Sequence, residues 1–246
     1  MNKFLGYIFS PLHYLVYGLS LLIFHPLQWI CLKTGGYSAH KKCVDILNFF
    51  LVSSYYFNGV RVSFRNDFNL PTNRSIIFVA NHQSMHDVPP LIWFLRKYHA
   101  KFISKIELTK GIPSVSFNLL HGGGANIDRK DPKQAIMELM KLGQRMKDNT
   151  WSAVIFPEGT RSKTGEVRSF NTAGVNTLLR KAPDALIVPV AIENSWKFVQ
   201  YGNYPLSFGE HLKFTVLEPL EPNGKVADEA VLAAENAIRA KVEGRS

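Results

Sequence analysis

Four short apolar runs constrain this chain more than any other feature: SIIFVA (75–80), KFIS (101–104), SAVIF (152–156) and LIVPVAI (186–192). Each is nearly continuous rather than alternating, as a strand buried on both faces should be. Val60, Val62 and Phe64 alternate like a half-buried strand. Helix signals lie between the runs. Asp131 and Pro132 supply an N-cap and a first-turn proline, followed by Ile136, Leu139, Met140 and Met146 at helical spacing. DEAVLAAENAIRAKV, from Asp228 onward, reads as a closing amphipathic helix. Strands alternating with helices imply an α/β fold, a mainly parallel sheet flanked by helices.

The first quarter of the chain has a different character. Residues 4–32 contain no Asp, Glu, Lys or Arg, a run long enough to cross a bilayer. Pro11 and Pro26 interrupt it, and His13, His25 and Gln28 add polar groups, which favours a helix lying in the interface or dipping into one leaflet. DILNFFLVSSYYF (45–57) is long enough to pack beside it. A buried hairpin of core helices is the alternative. Lys3 alone is too thin a basic region for a cleavable signal peptide, and no small-residue cleavage pattern follows. Lys33, Lys41 and Lys42 follow the uncharged run, so the main body is expected on the cytoplasmic side of the cell (inner) membrane. This divides the chain into a hydrophobic helical membrane module over 1–57 and one α/β domain over 58–246.

Lys and Arg number 29 against 19 Asp and Glu, a formal charge of +10. That balance suits an anionic membrane surface, a phosphorylated substrate, an acidic protein or nucleic acid. Nucleic acid is disfavoured, because the basic residues are dispersed and carry no recognition motif. Cys31 and Cys43 indicate neither a disulfide framework nor a zinc ribbon.

In parallel sheets, ligands gather beyond the carboxyl ends of strands. SIIFVA ends at Ala80, so the following NHQSMHD places Asn81 and His82 at such an exit. Pro89 and Pro90 belong in a helix's first turn, making Asp87 an N-cap and the residues from His82 to His86 a loop. On a regular helix His82 and Asp87 would lie roughly 140° apart, whereas in a loop they can meet. A carboxylate on one imidazole nitrogen fixes the tautomer and leaves the other nitrogen free to take a proton, the arrangement of a general base. Two plainer readings stand beside it: Asp87 as a helix cap and nothing more, and His82 with His86 at metal-ligand spacing if the segment is helical. The prolines oppose that helix, and no second His/Cys cluster is present, so no metal is expected.

A second constellation follows SAVIF. In PEGTRS (157–162), Gly159 permits close backbone approach and Arg161 offers a planar fork to an oxyanion or phosphate, with Lys163 and Arg168 extending the positive field. The same residues make an ordinary turn in which Glu158 pairs with a cation. HGGGANIDRK (121–130) joins a glycine run to Arg129 but lacks the spacing of a phosphate loop or a dinucleotide fingerprint. No GxSxG elbow is present.

Together these motifs resemble the glycerolipid acyltransferases, typified by bacterial 1-acylglycerol-3-phosphate (lysophosphatidate) acyltransferases. Asn81, His82 and Asp87 match the family's NHxxxxD block. GGANIDR (123–129), FPEGTRS (156–162) and VPVAI (188–192) match the next three in order, and FISKIEL, with Lys105 and Glu107, is similar to its KxEL segment. Asn126 departs from the aromatic or aliphatic residue usual in the second block. The resemblance implies that His82, oriented by Asp87, deprotonates the acceptor's hydroxyl as it attacks an acyl thioester, with no Ser or Cys nucleophile. It implies that Arg129 and Arg161 hold the acceptor's phosphate, helped by Gly159 and Lys105, with Asn81, Glu158 and Thr160 shaping the binding site. The co-substrate is then acyl-CoA or an acidic acyl carrier protein, no further cofactor is needed, and the partners are membrane lipids and the lysolipid phosphate. Other readings are acylation of a different lysolipid such as an aminolipid, a non-catalytic lipid-binding protein, and a metal-dependent hydrolase. His86 falls on a variable position of the first block, leaving it free to meet headgroups or solvent.

Overall fold

The computed structural model describes residues 1–222 and 227–244. Its first element, α1 (Asn2–Ser53), is two helices joined at Gly36, whose φ of 65° and ψ of −160° fall where essentially only glycine settles. Pro11 and Pro26 both lie inside the first helix. A proline removes one backbone hydrogen bond and bends a helix, but a residue with positive φ turns the chain, so the break falls at Gly36 rather than at the prolines. The second helix returns along the first: Phe24 and Phe50 meet at a tilt with centroids 5.7 Å apart, and His40 Nε2 meets Gln28 Oε1 at 3.0 Å.

The hairpin is polar on the inside. His13, Ser20, Gln28, His40 and Asn48 are buried, while Phe4, Ile8, Leu15, Leu19, Leu22, Ile23 and Trp29 are exposed. A core hairpin would have the reverse arrangement. Its second helix also buries Val44, Leu47 and Leu51 against the rest of the chain, so the hairpin is docked rather than free.

Seven strands follow: β1 (Arg61–Arg65), β2 (Ile76–Ala80), β3 (Ala100–Lys105), β4 (Ala125–Ile127), β5 (Ser152–Ile155), β6 (Leu186–Glu193) and β7 (His211–Val216). They form one sheet in the order β1-β7-β6-β2-β5-β3-β4. Every neighbouring pair is parallel except β6 with β7. The mainly parallel α/β architecture is thus as expected from the apolar runs. β4 and β7 carry no sequence signal strong enough to anticipate: β4 has three residues and emerges from a glycine run, and β7 lies among turn residues near the end of the chain.

The helices are α2 (Val88–Phe94), α3 (Val115–His121), α4 (Pro132–Asn149), α5 (Ala173–Leu179), α6 (Ser195–Phe198) and α7 (Ala227–Val242). α4 begins as its sequence dictates: the Asp131 carboxylate accepts from Lys133 N and Gln134 N, both at 3.0 Å, with Pro132 in the first turn. All five residues of β2 are buried. Ile76, Phe78 and Ala80 face a core shared with Leu91 and Leu95 near α2 and with Tyr55. Ile77 and Val79 face the other side, against Leu142 and Met146 of α4, Leu178 of α5 and Val231 of α7. Period-2 alternation in β2 therefore feeds two cores, and the sheet lies between helical layers.

Candidate active site

β2 and β5 are parallel neighbours, with Val79 opposite Ile155, so the two strongest motifs leave the sheet side by side at its carboxyl edge. The imidazole of His82 stacks on Phe156, the first residue past β5, with centroids 4.1 Å apart and 14° between planes. Register in the sheet thus brings residues 74 positions apart into van der Waals contact.

Asp87 stands at the N-cap position of α2, as expected, but its carboxylate makes no bond to that helix's N–H groups. Ser84 instead caps a single 3₁₀ turn, Met85–Asp87, and Asp87 closes it as the third residue of a capping box. Its Oδ2 accepts from Gln83 N at 2.7 Å, Ser84 N at 2.9 Å and His82 Nδ1 at 2.8 Å. The carboxylate is fully buried, whereas the His82 side chain is 14% exposed. Because a carboxylate accepts, Nδ1 carries the proton, and Nε2 is left with its lone pair.

The backbone of His82 is held from both directions by the second motif. Its N–H donates to Glu158 Oε1 at 2.7 Å, and its carbonyl accepts from Ser162 N at 2.7 Å. Among the described residues Glu158 forms no ion pair; its other oxygen accepts from Arg168 N at 3.3 Å, and burial pushes its carboxyl up from the ordinary range. Gly159 sits at φ 69° with open space where a side chain would project, and its N–H closes the turn on Phe156 O at 3.1 Å. Thr160 Oγ1 accepts from Arg168 Nη1 at 2.9 Å.

Asn81 is buried and spent on backbone: Nδ2 donates to Ile192 O at 2.9 Å and Oδ1 accepts from Ile192 N at 2.7 Å. It extends the β2–β6 ladder by one side chain, so it shapes the loop rather than facing a ligand. Lys105, Arg129 and Arg161 are all exposed. They stand at or just beyond the carboxyl ends of the adjacent strands β3, β4 and β5. Asn126 ties its stretch to α3, donating to Leu119 O at 2.7 Å.

Two residues at the site escape sequence reasoning. Gln83 Oε1 accepts from Ser195 N at 2.9 Å while its Nε2 donates to Gly165 O at 3.3 Å, and Ser84 Oγ meets Ser195 Oγ at 2.6 Å. Together they bolt the His82 loop to the start of α6. Neither carries a local signal, because their partners lie 82 to 112 positions away. His86 faces neither headgroups nor solvent. It is buried among His13, Tyr55 and Phe198, and desolvation, reinforced by His13, lowers its pKa to about 3. Its ring contacts are with these side chains, and no cluster of three or more His, Cys, Asp or Glu that could hold a metal occurs among the described residues.

A cavity of about 310 Å³ is lined by Met85, three residues past His82, by Arg161 of the second motif, and by residues of the sheet and the helical hairpin. Leu47, Leu51, Val88 and Phe102 are typical of its mostly apolar wall. Along the second helix of the hairpin it extends from Leu51 to Tyr37, about 21 Å at helical rise.

The acyltransferase family model matches residues 61–193, more than half of the chain. The chain belongs to the acyltransferase family. Among curated acyltransferases, it is 28% identical over 212 residues to 1-acyl-sn-glycerol-3-phosphate acyltransferase beta of Homo sapiens, covering 86% of this chain and 74% of that protein. It is 33% identical over 151 residues to the 1-acyl-sn-glycerol-3-phosphate acyltransferase of Helicobacter pylori, covering 60% of each. With the chloroplastic 1-acyl-sn-glycerol-3-phosphate acyltransferase of Arabidopsis thaliana it shares 30% identity over 167 residues, 65% of this chain but only 43% of the plant protein's length. The fold is that of the 1-acyl-sn-glycerophosphate acyltransferase PlsC from Thermotoga maritima, with a TM-score of 0.80 at 22% identity over 99% of this chain and 97% of that one.

Proposed function

We propose that this acyltransferase moves a fatty acyl group from a thioester to the free sn-2 hydroxyl of lysophosphatidate, forming phosphatidate for phospholipid synthesis. The observation that carries the reading is the His82–Asp87 pair at 2.8 Å, its Nε2 uncommitted among the described residues, on a loop whose Met85 also lines a mostly apolar cavity. The acceptor hydroxyl gives its proton to Nε2 as its oxygen attacks the thioester carbon. A C–O bond forms, the C–S bond breaks, and the departing sulfur takes the proton back from the imidazolium. Asp87 stabilises that transient charge, so no covalent acyl-enzyme is needed.

The cavity suits the donor's chain, and the exposed cations Lys105, Arg129 and Arg161, at the carboxyl edge of the sheet, suit the acceptor's phosphate. Acyl-CoA or an acidic acyl carrier protein would deliver the thioester, and no further cofactor takes part. Curated relatives bearing the lysophosphatidate acyltransferase name support this acceptor. The hairpin supports membrane attachment, since its apolar side chains face outward and one helical segment has a mean hydropathy of 1.6 over a membrane-length window. The basic residues after the uncharged run favour the cytoplasmic face of the cell membrane.

The test is an assay of the purified chain in detergent or vesicles, with lysophosphatidate and both thioester types. Phosphatidate and free thiol should appear together. Binding of lysolipid without turnover would make this a lipid-binding protein, and faster transfer to a lyso-aminolipid would change the acceptor.

A further inference from the structure

The cavity wall is mostly hydrocarbon toward Met85 but not at its far end. β3 runs from Ala100 to Lys105 toward the carboxyl edge, so Lys101, at the start of the strand, lies about 10 Å farther from that edge than Ser104. There the wall carries Lys101, Tyr37 and His40.

Lys101 is only 7% exposed. Its ammonium donates to the Tyr37 hydroxyl and lies 4.9 Å from the Tyr37 ring centroid and 4.6 Å from that of Trp151. The nearest carboxylate, Asp45, is engaged by Lys41 at 2.5 Å. An ammonium has three donors, and here only one meets a conventional acceptor. Desolvation, with Lys41 adding to it, lowers the Lys101 pKa to about 7.

His40 presents the complementary gap. Gln28 Nε2 donates to Ser114 O at 3.3 Å, so its Oε1 must accept, and His40 Nε2 therefore carries the proton in their 3.0 Å bond. That leaves Nδ1 as a bare acceptor, and it is buried without a partner. A spare donor and a spare acceptor thus both line the far end of a cavity, beside Lys41, Asp45 and Arg96, whose nearer wall is mostly apolar. An alkyl terminus arriving there would satisfy neither; a hydroxyl group satisfies both, accepting from the ammonium and donating to the imidazole.

We propose that the far end of the cavity, at Lys101 and His40, binds a hydroxyl carried near the far end of the donor's acyl chain. This rests on the reading that the cavity holds that chain. The chemical class is a fatty acyl thioester hydroxylated near its methyl end; a carbonyl or carboxylate at the same carbon offers nothing to His40 Nδ1.

The experiment uses the full chain in detergent, lysophosphatidate as acceptor, and thioesters across a series of chain lengths. At each length four donors are compared: unsubstituted, 3-hydroxy, penultimate-hydroxy and penultimate-keto. At the length that fills the cavity, kcat/KM for the penultimate-hydroxy donor should exceed that of the other three by about tenfold or more, the value of one hydrogen bond to a charged group. In Lys101→Met and His40→Phe, the ratio of hydroxylated to unsubstituted donor should fall to about one. Each ratio is taken within one protein, so a general loss of activity does not imitate the effect. If either variant is too unstable to assay, the wild-type ratio and the other variant decide. Wild-type transfer with no preference at any length, or variants that keep the preference, would overturn this inference alone. Absence of transfer from every donor would overturn the acyl-transfer reading, and this inference with it.

Discussion

Replacing Asp87 by Asn tests the dyad with little disturbance of the fold. Three of the four donors that meet the carboxylate converge on Oδ2, and the fourth, Ser84 Oγ, meets Oδ1. An amide oxygen in its place still accepts from Gln83 N and Ser84 N, and the new NH₂ faces Ser84 Oγ, 3.5 Å from Oδ1 in the native protein. What disappears is the negative charge. At the observed 2.8 Å, an imidazolium and a carboxylate attract by about 6 kcal/mol at an effective dielectric of about 20. His82 is 14% exposed and the amide keeps part of the hydrogen bond, so about half of that is a reasonable loss, on the order of 3 kcal/mol. That is roughly a hundredfold in rate, and a wrong tautomer would extend it toward ~10⁴-fold. Thiol release from the acyl thioester, followed spectrophotometrically in detergent with lysophosphatidate saturating, reads kcat directly. KM for both substrates should stay within about threefold, because Asp87 is fully buried and touches neither substrate. An Asp87→Asn protein within fivefold of wild-type kcat, or one impaired only in KM, would refute the assignment of His82 as a base oriented by Asp87.

Glu158→Ala strands the N–H groups of His82 and Arg168, and should lower kcat by about ten- to a hundredfold; Glu158→Gln, which keeps an acceptor for His82, should recover most of that, and equal rates for both variants would dismiss the bridging role. Gly36→Ala places a β-carbon at φ 65°, ψ −160° and should destabilise the hairpin by about 1–3 kcal/mol, seen as an earlier denaturation midpoint in detergent; an unchanged midpoint would mean that the bend is not where the helices are held. His86 gives a pH signature. Its folded pKa is lowered to about 3 from 6.5, so between those values the unfolded chain binds a proton that the native one does not. Stability should therefore fall as pH drops below about 6.5, with a contribution of up to about 1.4 kcal/mol per pH unit, and His86→Phe should flatten that limb. Identical slopes in the two proteins would refute the assignment.

The sheet was legible because its central strands are buried on both faces, and continuous apolar runs such as IIFVA announce that locally. The capping of α4 was legible for the same reason: Asp131 bonds residues two and three positions away. The meeting of His82 and Asp87 needed one inference, that prolines start the helix late. The role of Asp87 in that turn was harder to see, since Asp suits an N-cap and a capping box equally well. Asn81, Gln83 and Glu158 were ambiguous in a different way. Their partners are backbone groups of Ile192, Ser195 and His82, far away in sequence and brought close only by the order of β2, β5 and β6.

By itself, then, the sequence determined what depends on near neighbours and on periodicity: an α/β sheet, an uncharged N-terminal helix, and a histidine and carboxylate at a strand exit. Tertiary structure alone decided where the hairpin bends, which side chains merely brace the His82 loop, that His86 is buried away from the site, and that Lys101 and His40 end one cavity. The physical reason is that local signals act through a few adjacent backbone bonds. Burial and partnership are properties of the whole packing, set when strands distant along the chain become neighbours in the sheet.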